Sequence, residues 1–494
     1  MLGGGPAGCA AATLLAKRSH KVALVRPHAP PAAALVESIP PSAKRILDEL
    51  GFLDPVEQAG FQPNRGNSVW WAGEPVRREQ FGDGETGWHI DRAGLETVLA
   101  GCAAAAGVQV FDGYAARSAI QSDSLWTIQC DTHAGGAMEL TTDWLIDATG
   151  RKGVIARSEE RITDRSTTTL ALVRRFHRSE GWPESDDGHT YVESYDEGWA
   201  WSLPVSDTVR CFTAMIDQRE VSLEGRDVGE MLDAELRKTQ FVGPVRDSAE
   251  AVGDAWACPA SLYSATTFGR PGLLLTGDAG SFIDPLSSFG VKKALSSGWL
   301  AGITAHSALV DPAIVDDAID FFDRRERTVY RSFRKVSAPF FSAAAAKYGT
   351  AYWEKRAQAA IEAAGGETRS AAEVQDRLTE EVPEHEVRAA FEILRAQDRL
   401  TPAEGPTVRY FERAGIEGYR IVRLRHVGSD RIPEGLRFLR GVDFITLIPI
   451  AQRHPDVPDG WAAYNSAAPP VTLPDYLTAL STAFAAGFLV HSED

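Results

Sequence analysis

MLGGGPAG, Met1 to Gly8, opens the chain and runs directly into CAAATLLAKRSHKVALVRP, Cys9 to Pro27. Gly3, Gly5 and Gly8 stand in G-x-G-x-x-G spacing, ahead of a small-residue helical stretch and an apolar strand, Val22 to Val25. Glycines allow a tight turn and close backbone approach, and a helix starting there aims unbonded N–H groups at a pyrophosphate. The same glycines also serve a plain strand–helix connector, so the turn alone leaves both readings open. Only Met1 and Leu2 precede it, so either this edge of the sheet is cut short or the start is placed late. Arg26 ends the second strand where a dinucleotide fold offers ribose a carboxylate, and it either touches a phosphate or is solvated.

Working outward, 494 residues suffice for two or three domains with a full core. A hydrophobic fraction of 44% and a charged fraction of 24% are those of an ordinary globular protein. No apolar run is long enough to span a bilayer, and no signal-peptide pattern is present. The net charge of -17 excludes general nucleic-acid binding, which needs a cationic surface. Five scattered cysteines without C-x-x-C read as reduced thiols of a cytoplasmic protein, and no histidine or cysteine cluster has metal-ligand spacing.

Two later segments agree with the first. WLIDATGRKG, Trp144 to Gly153, reads as a strand ending in a glycine turn. GLLLTGDAGSFIDPLSSFGVKKALSSGWLAG, Gly272 to Gly302, reads as a buried strand, Gly277-Asp278, a turn through Asp284-Pro285, and a helix from about Gly290. Asp278 can accept hydrogen bonds from a sugar-like polyol, while the helix start offers N–H groups to an electron-rich ring edge. Alone, Asp278 would read as a turn cap.

In this order the three segments resemble the FAD-binding fold shared by aromatic hydroxylases and flavin-dependent halogenases, over roughly residues 1–340. The resemblance implies FAD as cofactor. It places Gly3, Gly5, Pro6, Ala7 and Gly8 at the pyrophosphate, Gly277 and Asp278 at the ribityl chain, and Pro285, Ser288, Gly290 and Val291 beside the isoalloxazine. Glu37 and Arg92 fall where such proteins make further FAD contacts. The implied fold is α/β: a glutathione-reductase-type Rossmann domain for FAD, with an inserted mixed β-sheet substrate domain. The FAD segments are expected at about 1–60, 86–160 and 255–340, and the substrate sheet at about 61–85 and 161–254. A second G-x-G-x-x-G is lacking, so reducing equivalents come by a transient visit or from a separate flavin reductase.

GWAWSLP, Gly198 to Pro204, resembles the W-x-W-x-I-P signature of flavin-dependent halogenases, with Leu203 for Ile. Trp199 and Trp201 alternate as on a strand, so both face one side, whether as chamber wall or as core. Halogenation in that family needs a lysine in a K-x-G strand motif. In FQPNRGNSVWWAG, Phe61 to Gly73, the corresponding residue is Asn64, which is short and neutral. Arg65 would point to the opposite face and stays protonated, and Lys44 reads as the solvated side of a helix. Ser287 and Phe289 replace the glutamate and threonine of the tryptophan halogenases' P-L-E-S-T-G. The pattern around Gly66, Asn67, Ser68 and Trp70-Trp71 resembles, one residue out of step, a subgroup that hydroxylates peptidyl tryptophan in quinone-cofactor biogenesis.

The resulting expectation is an FAD-dependent monooxygenase acting through a flavin C4a-hydroperoxide on an aromatic, indole-like group, free or on a peptide or carrier. Alternatives are a flavin-dependent halogenase and a geranylgeranyl-reductase-like flavoprotein. Asn64, Asn67, Trp201 and Ser288 are the candidate chamber residues, with Trp70, Trp71, Trp88 and Trp199 completing an aromatic lining that excludes water. Residues 346–494 are expected to form an α+β winged-helix-like domain. Its helices would be SAAEVQDRL and PEHEVRAAFEILRAQDRL, its strands VRYF, YRIVRLRHV and RFLRGVDFITLIPIA, and a last helix, Leu473 to Val490, would dock on the body. That domain suits a peptide- or carrier-binding module, a lid, or a packing domain.

Overall fold

The structure, a computed structural model, describes residues 1–27, 35–132, 135–156, 161–165, 167–182, 188–220, 223–364, 382–396, 399–400 and 402–491. Leu2 sits in the middle of the cofactor sheet, not at its edge. It bridges Val25 on one side and Asp147 on the other, both in parallel. Leu2 N–H donates to Ile146 O at 3.0 Å, and Gly3 N–H donates to Val25 O at 2.8 Å. The order across the sheet is Gln109–Asp112, Ala23–Arg26, Leu2, Leu145–Asp147, Leu273–Leu275 and Gly269–Arg270, antiparallel only at the last pair. The continuous apolar runs Leu145-Ile146 and Leu273–Leu275 are what parallel strands covered on both faces require.

The helix Pro6–Lys17 starts with proline at its first position, where no N–H is needed, and buries its first ten residues. Its alanines, with Gly298 and Gly302 on the facing helix Gly290–Val310, let the two cross at backbone distance. A Cβ built at Gly298 would fall 2.1 Å from Ala7 O, so only glycine fits this crossing.

The substrate sheet has seven strands, in the order Glu250–Pro259, Thr169–His177, Val209–Asp217, Gly198–Pro204, His189–Tyr195, Gly66–Trp70 and Arg77–Gln80. His189–Tyr195 runs parallel to Gly66–Trp70, and the other pairs are antiparallel. The sheet is therefore mixed, and it takes in Glu250–Pro259 up to the edge of the next cofactor segment. Alternation divides its two faces. Trp199, Leu203, Val192 and Ala171 join one core with Phe341 and Trp353. Trp70, Tyr191, Ala200 and Phe212 join another with Leu232 and Val242.

The chain divides into two compact units, 1–374 and 375–494. The boundary thus falls later than residue 345. The helix Ala351–Ala364 belongs to the first unit because Trp353, 0% exposed, packs on Trp71, Phe341 and Tyr352 and donates to Tyr195 O at 2.8 Å.

In the second unit the stretch SAAEVQDRL lies outside the described residues. The helix Glu384–Ala396 and the hairpin Arg409–Glu417 with Arg420–Gly428 fall where expected. FITLIPIA is a helix rather than a strand: Phe444–Arg453 follows a two-residue ribbon, its N-terminus capped by Asp443, which accepts from Ile445 N–H. Its apolar residues recur at both strand and helix spacing, and the aspartate cap decides the outcome. Three helices, Phe444–Arg453, Val457–Ala467 and Leu473–Ala485, follow the ribbon, more than a helix–helix–ribbon order contains. The last is shorter than expected, because Gly487 (φ +71°) turns the chain into the strand Leu489–His491, paired with Pro402–Glu404. Tyr476, Leu480 and Ala483 build that helix into its own unit's core.

Candidate active site

A cavity of about 530 Å³ lies between the cofactor sheet and the face of the substrate sheet that carries Trp199 and Trp201. At one end it meets the helix start at Gly5, Pro6 and Ala7. The first N–H groups of a helix have no intrahelical acceptor, so they are available to an anion. The turn is tight enough that a Cβ at Gly8 would fall 1.9 Å from Gly3 O. Gly3 and Gly8 therefore shape the loop without lining the cavity. Gly277 and Val291 also stand behind the wall, Gly277 against Ala7 and Val291 in the apolar core.

Glu37, Arg92, Asp278, Pro285, Ser288 and Gly290 all line the cavity. Arg92 bridges two carboxylates, with Nη1 2.5 Å from Glu37 Oε1 and Nε 2.8 Å from Glu96 Oε1. Burial opposes the guanidinium's charge, but Glu37 and Glu96 outweigh it and push its pKa up. Arg26 pairs with Asp112 at 3.2 Å and donates to Glu96 O at 3.1 Å, so it belongs to the protein framework. Ser288 adopts φ 54°, ψ 20° after the short helical turn Pro285–Ser287, a left-handed conformation uncommon for a residue with a side chain. Burial raises the Asp284 carboxyl above the usual range, against the pull of the Leu286 N–H it accepts at 2.9 Å.

These positions fit FAD. Backbone amides and a tight glycine turn would meet a pyrophosphate, the Asp278 carboxylate would be offered to a polyol, and the Gly277–Asp278 turn packs directly on Ala7, with a Cβ at Gly277 only 2.9 Å from Ala7 Cβ. The glycine-turn end and the Asp278 end are thus adjacent parts of one wall.

The substrate end is lined by Trp199, Trp201, Trp256, Phe282, Val192 and Leu203, with Ser38, Thr190, Thr213 and Cys258 as its polar groups. Of the expected aromatic lining only Trp199 and Trp201 hold. Trp70 faces the other side of the sheet, stacked on Phe241 at 4.8 Å. Trp88 sits in the cofactor-domain core, and Trp71 packs behind Trp199 and donates to Phe340 O at 2.7 Å. Trp256 is a lining residue that the sequence reading missed; its signal is the W-x-C alternation in Glu250–Pro259, which places it and Cys258 on one face.

Asn64 and Asn67 do not line the cavity. Asn64 is 1% exposed; its Nδ2 donates to Ser38 Oγ at 2.5 Å, and its Oδ1 accepts from Gly66 N–H at 3.1 Å. It acts one layer back, through Ser38. Asn67 pairs with Thr190 across parallel strands, on the cavity-facing side but toward the sheet's edge. Among the described residues no lysine lines the cavity. Lys44 is half-buried, 5.9 Å from the Trp88 ring centre. Lys293 is buried on the far side of the Asp278 turn.

A two-domain flavin fold with this cavity defines an FAD-dependent oxidoreductase. More narrowly, the chain belongs to the tryptophan halogenase family, whose model matches residues 76–386. It is 29% identical over 399 residues to tryptophan 2-halogenase of Chondromyces crocatus, covering 76% of this chain and 73% of that one. It is 25% identical over 370 residues to the putative FAD-dependent oxidoreductase LodB of Marinomonas mediterranea, covering 72% and 95%. Among solved structures, the flavin-dependent halogenase CmlS superposes with TM-score 0.77 at 19% identity, over 100% of this chain and 95% of that one. The peptidyl tryptophan dihydroxylase QhpG superposes with TM-score 0.66 at 21% identity, over 93% and 94%. Among the described residues no helix is long and apolar enough to cross a membrane.

Proposed function

We propose that this flavin enzyme is a monooxygenase that hydroxylates an electron-rich, indole-like ring, free or presented on a peptide or carrier. The observation that carries the reading is the composition of the chamber: three tryptophans, a phenylalanine and hydroxyl groups, and no lysine among its described lining residues. Resemblance to the halogenases implies an amine that holds oxidised halide. Here Asn64 takes the place where the motif puts it, and its amide is spent on Ser38.

Reduced FAD, when bound, supplies the electrons that split molecular oxygen, one atom going to the ring and the other leaving as water. The chain's own residues do the rest. Trp199, Trp201 and Trp256 hold a flat ring by stacking and edge contacts and keep water from the reacting centre. Ser38 accepts from Asn64, so its own hydroxyl proton is available to an acceptor in the chamber. An indole carbon is already nucleophilic, so the ring needs no strong base; its proton leaves after the new C–O bond forms. A chamber walled by tryptophans suits an aromatic ring better than a long prenyl chain. A flavin reductase as a separate partner fits the absence of a second glycine fingerprint.

The halogenase reading draws on the 29% identical tryptophan 2-halogenase. Protein supplied with reduced FAD, oxygen, tryptophanyl peptides and bromide separates the two. Gain of one oxygen atom, unchanged by bromide, is expected; a brominated indole would overturn the proposal.

A further inference from the structure

We propose that Lys293 is a positioning residue for Asp278, pinning both ends of the turn that presents this carboxylate to the flavin. The inference rests on Asp278 being a cofactor ligand. Lys293 lies on the helix Gly290–Val310 with its side chain 1% exposed. Its ammonium donates to Gly277 O at 3.0 Å and to Ser281 O, the residues that flank the turn. Asp278 Oδ1 is 3.6 Å away, and the carboxylate remains 29% exposed toward the cavity. One cation thus grips the backbone on both sides of Asp278 and faces its charge from behind.

The surroundings are built for that cation. Glu326, 3% exposed, stands in the same buried patch and hydrogen-bonds Ser297. Ser297 Oγ in turn meets Thr276 Oγ1 at 2.7 Å and accepts from Gly277 N–H at 2.9 Å. The turn is held by Lys293 through its carbonyls and by Ser297 through its amide. Neighbouring positions on the helix, Val291, Ala294 and Leu295, are apolar and buried. Packing alone would be met by another apolar residue, and burying an ammonium is costly unless its donors are used. The lysine is retained where its donors hold the turn.

The test is a double-mutant cycle on FAD affinity, read from flavin fluorescence on titrating cofactor-free protein, with circular dichroism to confirm folding. Lys293→Met and Asp278→Asn are each expected to weaken FAD about tenfold or more, the scale of a hydrogen-bonded charge. The double variant is expected to bind no more weakly than Asp278→Asn alone. Lys293→Gln keeps two N–H donors and should lose less, again only while Asp278 is present. If Lys293→Met folds and binds FAD like the parent, or if the losses add, the proposal is overturned. If Lys293→Met does not fold, the Lys293→Gln cycle decides by the same criterion. If Asp278→Asn itself leaves FAD binding unchanged, it is the underlying ligand assignment that fails.

Discussion

Trp199 and Trp201 stand two positions apart on one strand, their ring centres 4.9 Å apart and their planes inclined by 34°. Their surroundings differ. Trp199 is 2% exposed and locked against Trp71, while Trp201 is half-exposed to the chamber. Trp201→Ala should therefore fold and bind FAD, with the aromatic substrate's KM raised about tenfold, the scale of one lost stacking contact. Oxygen uptake should then yield more hydrogen peroxide and less product. Trp199→Ala should instead cost about 3–5 kcal/mol of stability by opening a core cavity. Urea unfolding and peroxide assays distinguish the two.

Arg92 keeps Glu37 and Glu96 from confronting one another at the cavity wall, where the cofactor is proposed to bind. Arg92→Met should weaken FAD about ten- to a hundredfold, since two partly buried carboxylates are left unpaired. Arg92→Lys should rescue little, because an ammonium lacks the planar fork that reaches both acceptors. Equilibrium FAD titration measures both variants.

Glu326 gives the fold a pH signature. Burial pushes its carboxyl up to about 7, opposed by Lys293, the Ser297 hydrogen bond and Arg325, while Asp323 adds to the rise. Between about pH 4.5 and 7 the folded protein binds a proton that the unfolded chain has lost, so the stability tied to Glu326 falls as pH rises. Glu326→Gln removes that loss. Its stability relative to the parent should grow by roughly 3 kcal/mol from pH 4.5 to 8, at 1.36 kcal/mol per unit. Urea unfolding at a series of pH values checks the sign; a parent that gains on the variant as pH rises would contradict it.

Gly298→Ala would drive a methyl into Ala7 O. Overpacking of this kind costs about 1–3 kcal/mol, and more where only backbone faces it. FAD affinity should fall with stability, because the displaced helix is the one whose first amides are proposed to face the phosphates. Thermal unfolding with and without FAD should show a smaller cofactor-induced rise in Tm than in the parent.

The cofactor half of the fold was legible because its chemistry is local. A glycine turn, a strand ending in ATG, and Gly277-Asp278 each announce themselves within a few residues, and the structure brings them to one cavity wall. The chamber was legible only where alternation along one strand sufficed, as at Trp199 and Trp201. Trp70 and Trp71 look equivalent in sequence, yet Trp70 closes the strand facing Phe241 while Trp71, just past its end, turns to the opposite core beside Trp199. Asn64 was picked by motif position, but its amide turns to Ser38, a neighbour set by the pairing of Val36–Ile39 and Gln62–Asn64 with Gly87–Asp91. Lys293 and Glu326 lie 33 positions apart and meet only because the helices Gly290–Val310 and Val315–Tyr348 fold back on each other. FITLIPIA misled because a short apolar run has no period of its own, and the Asp443 cap before it was the better guide.

The crossing of the first helix over Gly298 has one more consequence. With a carbonyl seated where a methyl would be, the starts of the two helices are held at a fixed spacing, and on the proposed assignment so are the phosphate-facing and ring-facing parts of the cavity wall. FAD and FMN share the stretch from ring to first phosphate, so such a calliper would gauge the ribityl link common to both and leave the adenosine half to other contacts. Its setting would be fixed by a missing side chain, well away from the bonds that react.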